Sequence, residues 1–292
     1  MHAEMLGPTS QIYFSQRLRL HYVDWGNEGA PPLLLVHGGR DHCRNWDWVA
    51  EALRKDYHVI APDLRGHGDS AWAIGGSYAL VDFVYDIAQL VRQMKLPQVS
   101  IISHSMGGAI SLIYAGTFPE TVNRLVVIEG VIKSLSQFEK PPLTAQQRVI
   151  KWIDQLRELS ARTPRKYASL NEALARMRHE NPFLSAAQAR HLTIHGVNQN
   201  EDGTYSWKFD NYVRAIAPYG LTAEEITGLW SNINCPTLLV HGADSWMSTP
   251  ETDGALAFFA HAQTVTIKNA GHWVQHDRLE EFLAVTEPFL QS

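Results

Sequence analysis

Residues 101–116, IISHSMGGAISLIYAG, decide the fold prediction, because they join a strand-like segment to a helix-like one within a few positions. The β-favouring Ile101 and Ile102 lead into Ser103-His104-Ser105, and glycines then open a helical run. A short polar residue flanked by small ones indicates a tight turn at which strand and helix pass close together. The stretch therefore predicts a buried strand, a sharp turn with Ser105 at its apex, and a helix.

Strand-like and helix-like segments alternate on both sides of this turn. Residues 31–39 form a short apolar run typical of a strand buried on both faces, and residues 57–64 and 122–130 are also predicted strands. Amphipathic segments between them predict helices, and alternating residues 12–25 predict a β-hairpin. We therefore expect an α/β fold with a mostly parallel central sheet flanked by helices.

A long helical segment interrupts the alternation. Residues 133–231 contain helix-like stretches and no convincing buried strand, and Thr144, Ser169 and Ser185 stand where helix N-caps are expected. Strand and helix alternate again from residue 235. The predicted organisation is one α/β core, residues 1–132 and 232–292, with an inserted helical cap, residues 133–231.

Composition narrows the class of protein. The 292 residues carry a net charge of −5 and offer no basic tract for nucleic acid. Cys43 and Cys235 are far apart and lack metal-ligand spacing, so a reducing compartment is expected. No secretory signal and no apolar run of about 18 residues is found. We expect a cytoplasmic protein with a small-molecule partner, no nucleic acid and no membrane contact; a homodimer is left open.

Ser105 at the apex of a strand–turn–helix has the pattern of a nucleophile elbow, with Ser103 in place of the usual first glycine. A serine hydroxyl needs a base, and the base needs an orienting carboxylate. In this arrangement the chain order is Ser, acid, His. Asp244 follows a predicted buried strand and His272 lies in a loop after the next one. All three positions then fall at carboxyl ends of parallel strands, where α/β sheets build their sites.

An acyl-transfer site also needs two fixed N–H donors for the developing oxyanion. Met106, directly after Ser105, is one predicted donor because it begins a helix. Gly39, in the loop after the strand of residues 31–36, is the other, since glycine lets the backbone approach a substrate closely.

With these motifs the chain resembles the α/β-hydrolase superfamily. The resemblance rests on His37-Gly38-Gly39, on PDLRGHGDS (62–70), on SHSMGG (103–108) and on AGH (270–272), which occur in the family's order. The inserted segment lies where the family carries its cap and is similar to the cap of serine-hydrolase-like proteins. The resemblance implies serine-dependent hydrolysis without a metal or an organic cofactor, and it does not imply a substrate.

The acid departs from the family pattern. The family often places the carboxylate three residues after the glycine of this strand end, which is Ser245 here, so Asp244 stands one residue early. Some members carry the acid after the preceding core strand, where this chain has Glu129. Asp244 is the favoured acid and Glu129 the alternative.

Three further residues are predicted to line the substrate pocket. Trp246 and Trp273 flank the predicted acid and base, and Arg40 follows the oxyanion glycine. The predicted function is a carboxylesterase-like serine hydrolase. Hydrolysis of a C–C bond, a lactone or an amide, or perhydrolysis, could use the same triad, and a ligand-binding receptor with this fold is the alternative of another class.

Overall fold

The central element of the computed structural model is an eight-stranded sheet; the structure describes residues 7–75, 78–131, 143–215, 217–252 and 254–292. In chain order the strands are β1 Thr9–Ser15, β2 Leu18–Asp24, β3 Pro32–Val36, β4 His58–Pro62, β5 Val99–His104, β6 Val122–Ile128, β7 Val197–Gln199, β8 Tyr205–Trp207, β9 Thr237–Gly242 and β10 Ala262–Ile267. The helices are α1 Asp47–Leu53, α2 Leu80–Gln93, α3 Met106–Thr117, α4 Ala145–Ser160, α5 Leu170–Glu180, α6 Ala186–Gly196, α7 Ala223–Ser231, α8 Val274–Asp277 and α9 Leu279–Gln291.

The sheet has the strand order β1-β2-β4-β3-β5-β6-β9-β10. β1 and β2 form the predicted antiparallel hairpin, and β2 joins β4 antiparallel. From β4 to β10 every neighbouring pair is parallel. The prediction of a mostly parallel sheet is thus confirmed, and the carboxyl ends of β5, β6, β9 and β10 lie side by side along one edge.

The strand β3 shows why its sequence is continuously apolar. Leu33 and Leu35 pack into one buried cluster, while Leu34 and Val36 pack into another on the opposite face. Successive side chains of a strand point to opposite faces, so a strand covered on both sides needs apolar residues at every position. Helices α2, α3 and α7 contribute to one cluster and α1 and α9 to the other, which confirms helices on both faces.

The inserted region, residues 133–231, contributes α4 to α7 and the short hairpin β7–β8. Thr144, Ser169 and Ser185 accept hydrogen bonds from backbone N–H groups in the first turns of α4, α5 and α6, as expected of N-caps. α7 packs against α3, and its Trp230 is fully buried in the main core cluster. This helix therefore packs with the core cluster, although the sequence places it in the predicted cap.

The division into core and cap stays a prediction. Its first boundary, between residues 132 and 133, lies outside the described residues. Within the part of the chain that is described, no helix has the length and apolar character needed to cross a membrane.

A buried ion pair fixes the loop after β4 to α2. Arg65 Nε and Nη2 donate to Asp86 Oδ2 and Oδ1 at 2.6 and 2.7 Å, and both side chains are almost fully buried. Arg65 Nη2 also donates to Gln16 Oε1 at 2.9 Å. Such a pair is weak evidence for net stability, but removal of one partner leaves an uncompensated buried charge.

Asp86→Ala is expected to lower the free energy of unfolding by about 3–5 kcal/mol, because it leaves the Arg65 guanidinium buried without its carboxylate. Asp154→Ala is the matched control, since Asp154 and Arg157 form an exposed pair on α4 and such pairs contribute little. Urea denaturation measures both. Equal, small losses in the two variants would contradict the anchoring role of the buried pair.

Candidate active site

The turn after β5 has the strained geometry that the sequence predicts. Ser105 has φ 52° and ψ −120°, and α3 begins at the next residue. A positive φ at a non-glycine residue costs of order 1–3 kcal/mol and persists only where the surroundings enforce it. The close packing around this turn is seen at Gly107, where a Cβ atom would clash with the carbonyl oxygen of His37. Only glycine lets α3 start so close to β3.

Ser103 replaces the glycine that often precedes the nucleophile by two residues. It is fully buried, and its Oγ donates to the carbonyl oxygen of Val126 at 3.2 Å. The hydroxyl is therefore satisfied within the sheet, which explains why serine is accommodated at this position.

Ser105 and His272 meet, although 166 residues separate them in the chain. His272 Nε2 lies 3.0 Å from Ser105 Oγ, which is hydrogen-bond distance, and both residues are half-buried. His104 Nε2 donates to the backbone carbonyl of His272 at 2.9 Å and so anchors the His272 loop to the turn after β5. Burial, and next the neighbouring His272, lower the pKa of His104 well below its ordinary value, so His104 acts as a neutral donor.

Glu129 is the carboxylate nearest the second ring nitrogen of His272 that the described residues provide. It follows β6 directly, and its Oε2 lies 3.5 Å from His272 Nδ1. That separation exceeds a normal hydrogen bond, and Nδ1 has no hydrogen-bond partner within the described ranges. Glu129 also has a positive φ, 52°, so a second strained residue adjoins Ser105.

The carboxylate of Glu129 is buried and tightly held. Oε1 accepts from the backbone N–H of Gly242 at 2.7 Å and lies 2.8 Å from His241 Nδ1. Oε2 accepts from Ser245 Oγ at 2.7 Å. Buried charges are tolerated when they are paired and hydrogen-bonded, and these partners satisfy that condition.

The preference for Asp244 over Glu129 disagrees with this geometry. Asp244 is exposed, and its described hydrogen bond runs from its backbone N–H to the carbonyl of Ala270. The turn after β9, closed by the N–H of Ser245 on the carbonyl of Gly242, directs Ser245 toward Glu129. A one-residue difference within a tight turn thus decides which side chain faces inward. The contributions of Ser245 and His241 are not visible in the sequence, because a polar residue at a strand end has many common uses.

The two predicted oxyanion donors lie near each other. A Cβ on Gly39 would be 3.6 Å from Met106 Sδ, and Gly39 is exposed. Met106 is the first residue of α3, and the N–H groups of a first helical turn have no acceptor within the helix.

His37 sets the direction of the Gly39 N–H. Its Nε2 accepts from the N–H of Leu64 at 3.0 Å, so Nδ1 carries the proton and donates to the carbonyl of Gly38 at 2.7 Å. Burial lowers the pKa of His37 to about 3, which keeps the ring neutral. Because the peptide unit is planar and trans, the Gly39 N–H points away from that carbonyl.

The three predicted pocket residues lie in different surroundings. Arg40 is exposed and has φ 63°. Trp246 is exposed, and its ring centroid lies 5.1 Å from that of His272. Trp273 packs with an apolar cluster of the inserted region and lies 5.5 Å from His276, ring to ring. Trp246 thus adjoins His272, whereas Trp273 packs against the apolar cluster that includes residues of α6.

Two groups of side chains among the described residues could hold a metal ion: His21 with Cys43 and Asp63, and Asp47 with His191 and His195. In each group a histidine nitrogen already contacts the carboxylate: His21 Nδ1 lies 2.7 Å from Asp63 Oδ2, and His191 Nε2 lies 2.9 Å from Asp47 Oδ2. Neither group includes Ser105 or His272.

Comparisons with known proteins show which proteins this chain is similar to. The esterase Rv0045c of Mycobacterium tuberculosis is 26% identical over 292 residues, covering 98% of this chain and 91% of that protein. The (E)-2-((N-methylformamido)methylene)succinate hydrolase of Acinetobacter baylyi is 29% identical over 292 residues, covering 99% of each. A solved structure of a hypothetical protein from Pseudomonas aeruginosa PAO1 superposes with a TM-score of 0.82 at 24% identity and 97% coverage of both chains.

The family model of the alpha/beta hydrolase fold matches residues 31–279, which include the elbow, Glu129 and His272. With most of its length matched, and with esterase and hydrolase relatives along nearly its full extent, the chain belongs to the α/β-hydrolase family.

Proposed function

We propose that the protein hydrolyses carboxylic esters through an acyl-enzyme intermediate on Ser105. The observation that carries this proposal is the 3.0 Å contact between Ser105 Oγ and His272 Nε2 at a strained turn. An imidazole within hydrogen-bond reach of a serine hydroxyl is the arrangement that activates such a nucleophile. The esterase among the relatives supports the substrate class.

In the proposed mechanism, His272 Nε2 removes the proton of Ser105 as Oγ attacks the ester carbonyl. The N–H groups of Gly39 and Met106 then donate to the oxyanion of the tetrahedral intermediate. His272 returns the proton to the leaving alcohol, and the acyl group remains on Ser105. A water molecule, activated by the same imidazole, attacks the acyl-enzyme and releases the acid.

Glu129 is the proposed third member of the triad. It would hold the Nδ1–H tautomer of His272 and stabilise the imidazolium that forms when Ser105 is deprotonated. The 3.5 Å separation must shorten by about 0.5–0.7 Å for a hydrogen bond, and catalytic hydrogen bonds often tighten only when substrate is bound. Four groups surround this carboxylate, so its position is well defined even before the distance to His272 shortens.

A second candidate is hydrolysis of an amide-type or enamine-type acyl derivative bearing carboxylates. The Acinetobacter baylyi relative acts, by its name, on (E)-2-((N-methylformamido)methylene)succinate. In this chain Arg40 is exposed directly after Gly39, where a guanidinium could pair with a substrate carboxylate. The two candidates share the triad and differ in what the pocket holds.

Ser105→Ala is expected to lower kcat for p-nitrophenyl esters by roughly 10⁴- to 10⁶-fold, because it removes the nucleophile. The same variant should no longer be labelled by a fluorophosphonate. Ser111→Ala is the matched control: Ser111 is a buried serine of α3 whose hydroxyl has no described partner, and its activity should stay within about twofold.

The substrate panel should include short and medium acyl esters, lactones, ring-cleavage diketones and amidomethylene succinates. Preferred turnover of the last class would favour the second candidate. A wild-type protein that neither turns over any of these substrates nor is labelled at Ser105 would contradict both candidates and favour a ligand-binding receptor.

Glu129→Gln is expected to lower kcat by roughly 10⁴-fold, as loss of a triad carboxylate leaves the wrong histidine tautomer. Asp244→Asn is the paired variant and should change kcat by less than about threefold, because Asp244 is exposed. Steady-state kinetics on one good ester compare the two, with circular dichroism as a check of folding. The opposite ranking would restore Asp244 as the acid and show that the turn after β9 rearranges with substrate.

A further inference from the structure

Two histidines of α6 face an acidic residue of α1 across the boundary between the inserted region and the core. His191 and His195 are four residues apart on one face of α6, and their ring centroids are 4.5 Å apart. Asp47 begins α1, and its Oδ2 lies 2.9 Å from His191 Nε2. One potential ligand atom from each of the three residues lies within 4.8 Å of the others.

Two imidazoles and one carboxylate form a donor set suited to divalent transition metals such as Zn²⁺, Co²⁺ and Ni²⁺, and poorly suited to Mg²⁺ or Ca²⁺. Ligands that are about 2.0–2.1 Å from a tetrahedral Zn²⁺ lie roughly 3.3 Å from one another. The three atoms here would have to approach by at most about 1.5 Å, which rotation of the half-buried His195 side chain can supply.

The protonation states suit a metal ligand set. Burial, and next the charge of Arg44, lower the pKa of His195 to about 4, so no proton competes for its ring at neutral pH. Burial raises the pKa of Asp47, but hydrogen bonds from His191 and Arg44 outweigh this and leave its pKa below the ordinary value. To bind a metal ion through Nε2, His191 would have to carry its ring proton on Nδ1. The Nε2–H group would then no longer donate to Asp47.

A small cavity adjoins this cluster. It has a volume of about 110 Å³, and His195, His42 and Arg44 are among the residues that line it. His42 is 6% exposed, its Nε2 donates to the carbonyl of Leu192 on α6, and its Nδ1 has no hydrogen-bond partner among the described residues. Of the three candidate ligands only His195 lines this cavity, which therefore offers room for water on the His195 side of the cluster.

The positive charge of Arg44 disfavours the binding of a metal ion at Asp47. Its Nε donates to both oxygens of Asp47, at 2.9 and 2.8 Å, and its Nη2 lies 2.6 Å from Oδ2. A carboxylate has about four lone-pair sites, so Asp47 can bind Arg44 and an ion together. The nearby guanidinium charge nevertheless weakens cation binding.

From this juxtaposition we infer that Asp47, His191 and His195 form a binding site for a divalent transition-metal ion, and that a bound ion links α6 to α1. The ion takes no part in the hydrolysis proposed above. Its effect is structural: it adds a cross-link where α6 already contacts the core through His42 and through Gln188, whose Nε2 donates to the carbonyl of His276.

Titration of untagged, full-length protein with Co²⁺, followed by visible absorption, and with Zn²⁺, followed by calorimetry, tests the site. One ion per chain is expected, with a rise in Tm on Zn²⁺ addition. His195→Ala should weaken binding at least tenfold and abolish the Zn²⁺-dependent rise in Tm. His179→Ala, which removes an exposed histidine of α5, and Ser105→Ala should leave binding unchanged.

Arg44→Met provides an independent readout, because removal of the competing cation should tighten binding about three- to tenfold. If His195→Ala alters folding, as judged by its metal-free Tm, His195→Gln keeps the side-chain volume and should also lose binding. The inference is overturned if wild type binds no ion, or if His195→Ala and His195→Gln bind Zn²⁺ as tightly as wild type. These readouts do not use hydrolysis, so their failure is separable from failure of the proposed function.

Discussion

The strained backbone at Ser105 is the constraint on which the rest of the site depends. Its positive φ places the hydroxyl at the end of β5 and starts α3 at once. The turn is possible only because Gly107 lets α3 approach the carbonyls of β3. The core therefore carries the cost of the turn: β3 and β5 are buried on both faces, and their packing holds a conformation that an exposed loop would not keep. The same approach brings the Gly39 loop beside the first turn of α3.

The neighbouring strands extend this arrangement along one edge of the sheet. Glu129 repeats the strained geometry one strand away, at the end of β6. Its carboxylate then spans toward β9, where Gly242, His241 and Ser245 bind it, and toward His272 beyond β10. The hydroxyl of Ser245 thus stands at the end of β9, and the buried carboxylate that it contacts follows the adjacent strand β6. A carboxylate at the end of either β6 or β9 can reach the imidazole of His272, because both strands end at the same edge of the sheet.

Beside the packing of α7 on α3, histidines provide several contacts between residues 133–231 and the rest of the chain. α6 contacts the core through His42 and through the pair His191–Asp47. Burial keeps several rings in this area neutral: the pKa of His276 is lowered to about 3 and that of His195 to about 4. Neutral rings donate and accept at fixed atoms, which makes them directional contacts rather than simple charges. The proposed metal site is a consequence of that concentration of imidazoles at one boundary.

The sequence by itself determined the sheet, its flanking helices, the elbow and the pairing of Ser105 with His272. Those features follow from local patterns: apolar runs, small residues around a turn, and strand ends that must meet at one edge. The tertiary structure alone decided that Glu129 rather than Asp244 faces His272, and that α7 packs on α3 within the core cluster. It also decided that His191 and His195, a visible i, i+4 pair, face Asp47. These outcomes depend on the direction of single side chains in turns and on contacts between segments more than 100 residues apart, and no local pattern encodes either.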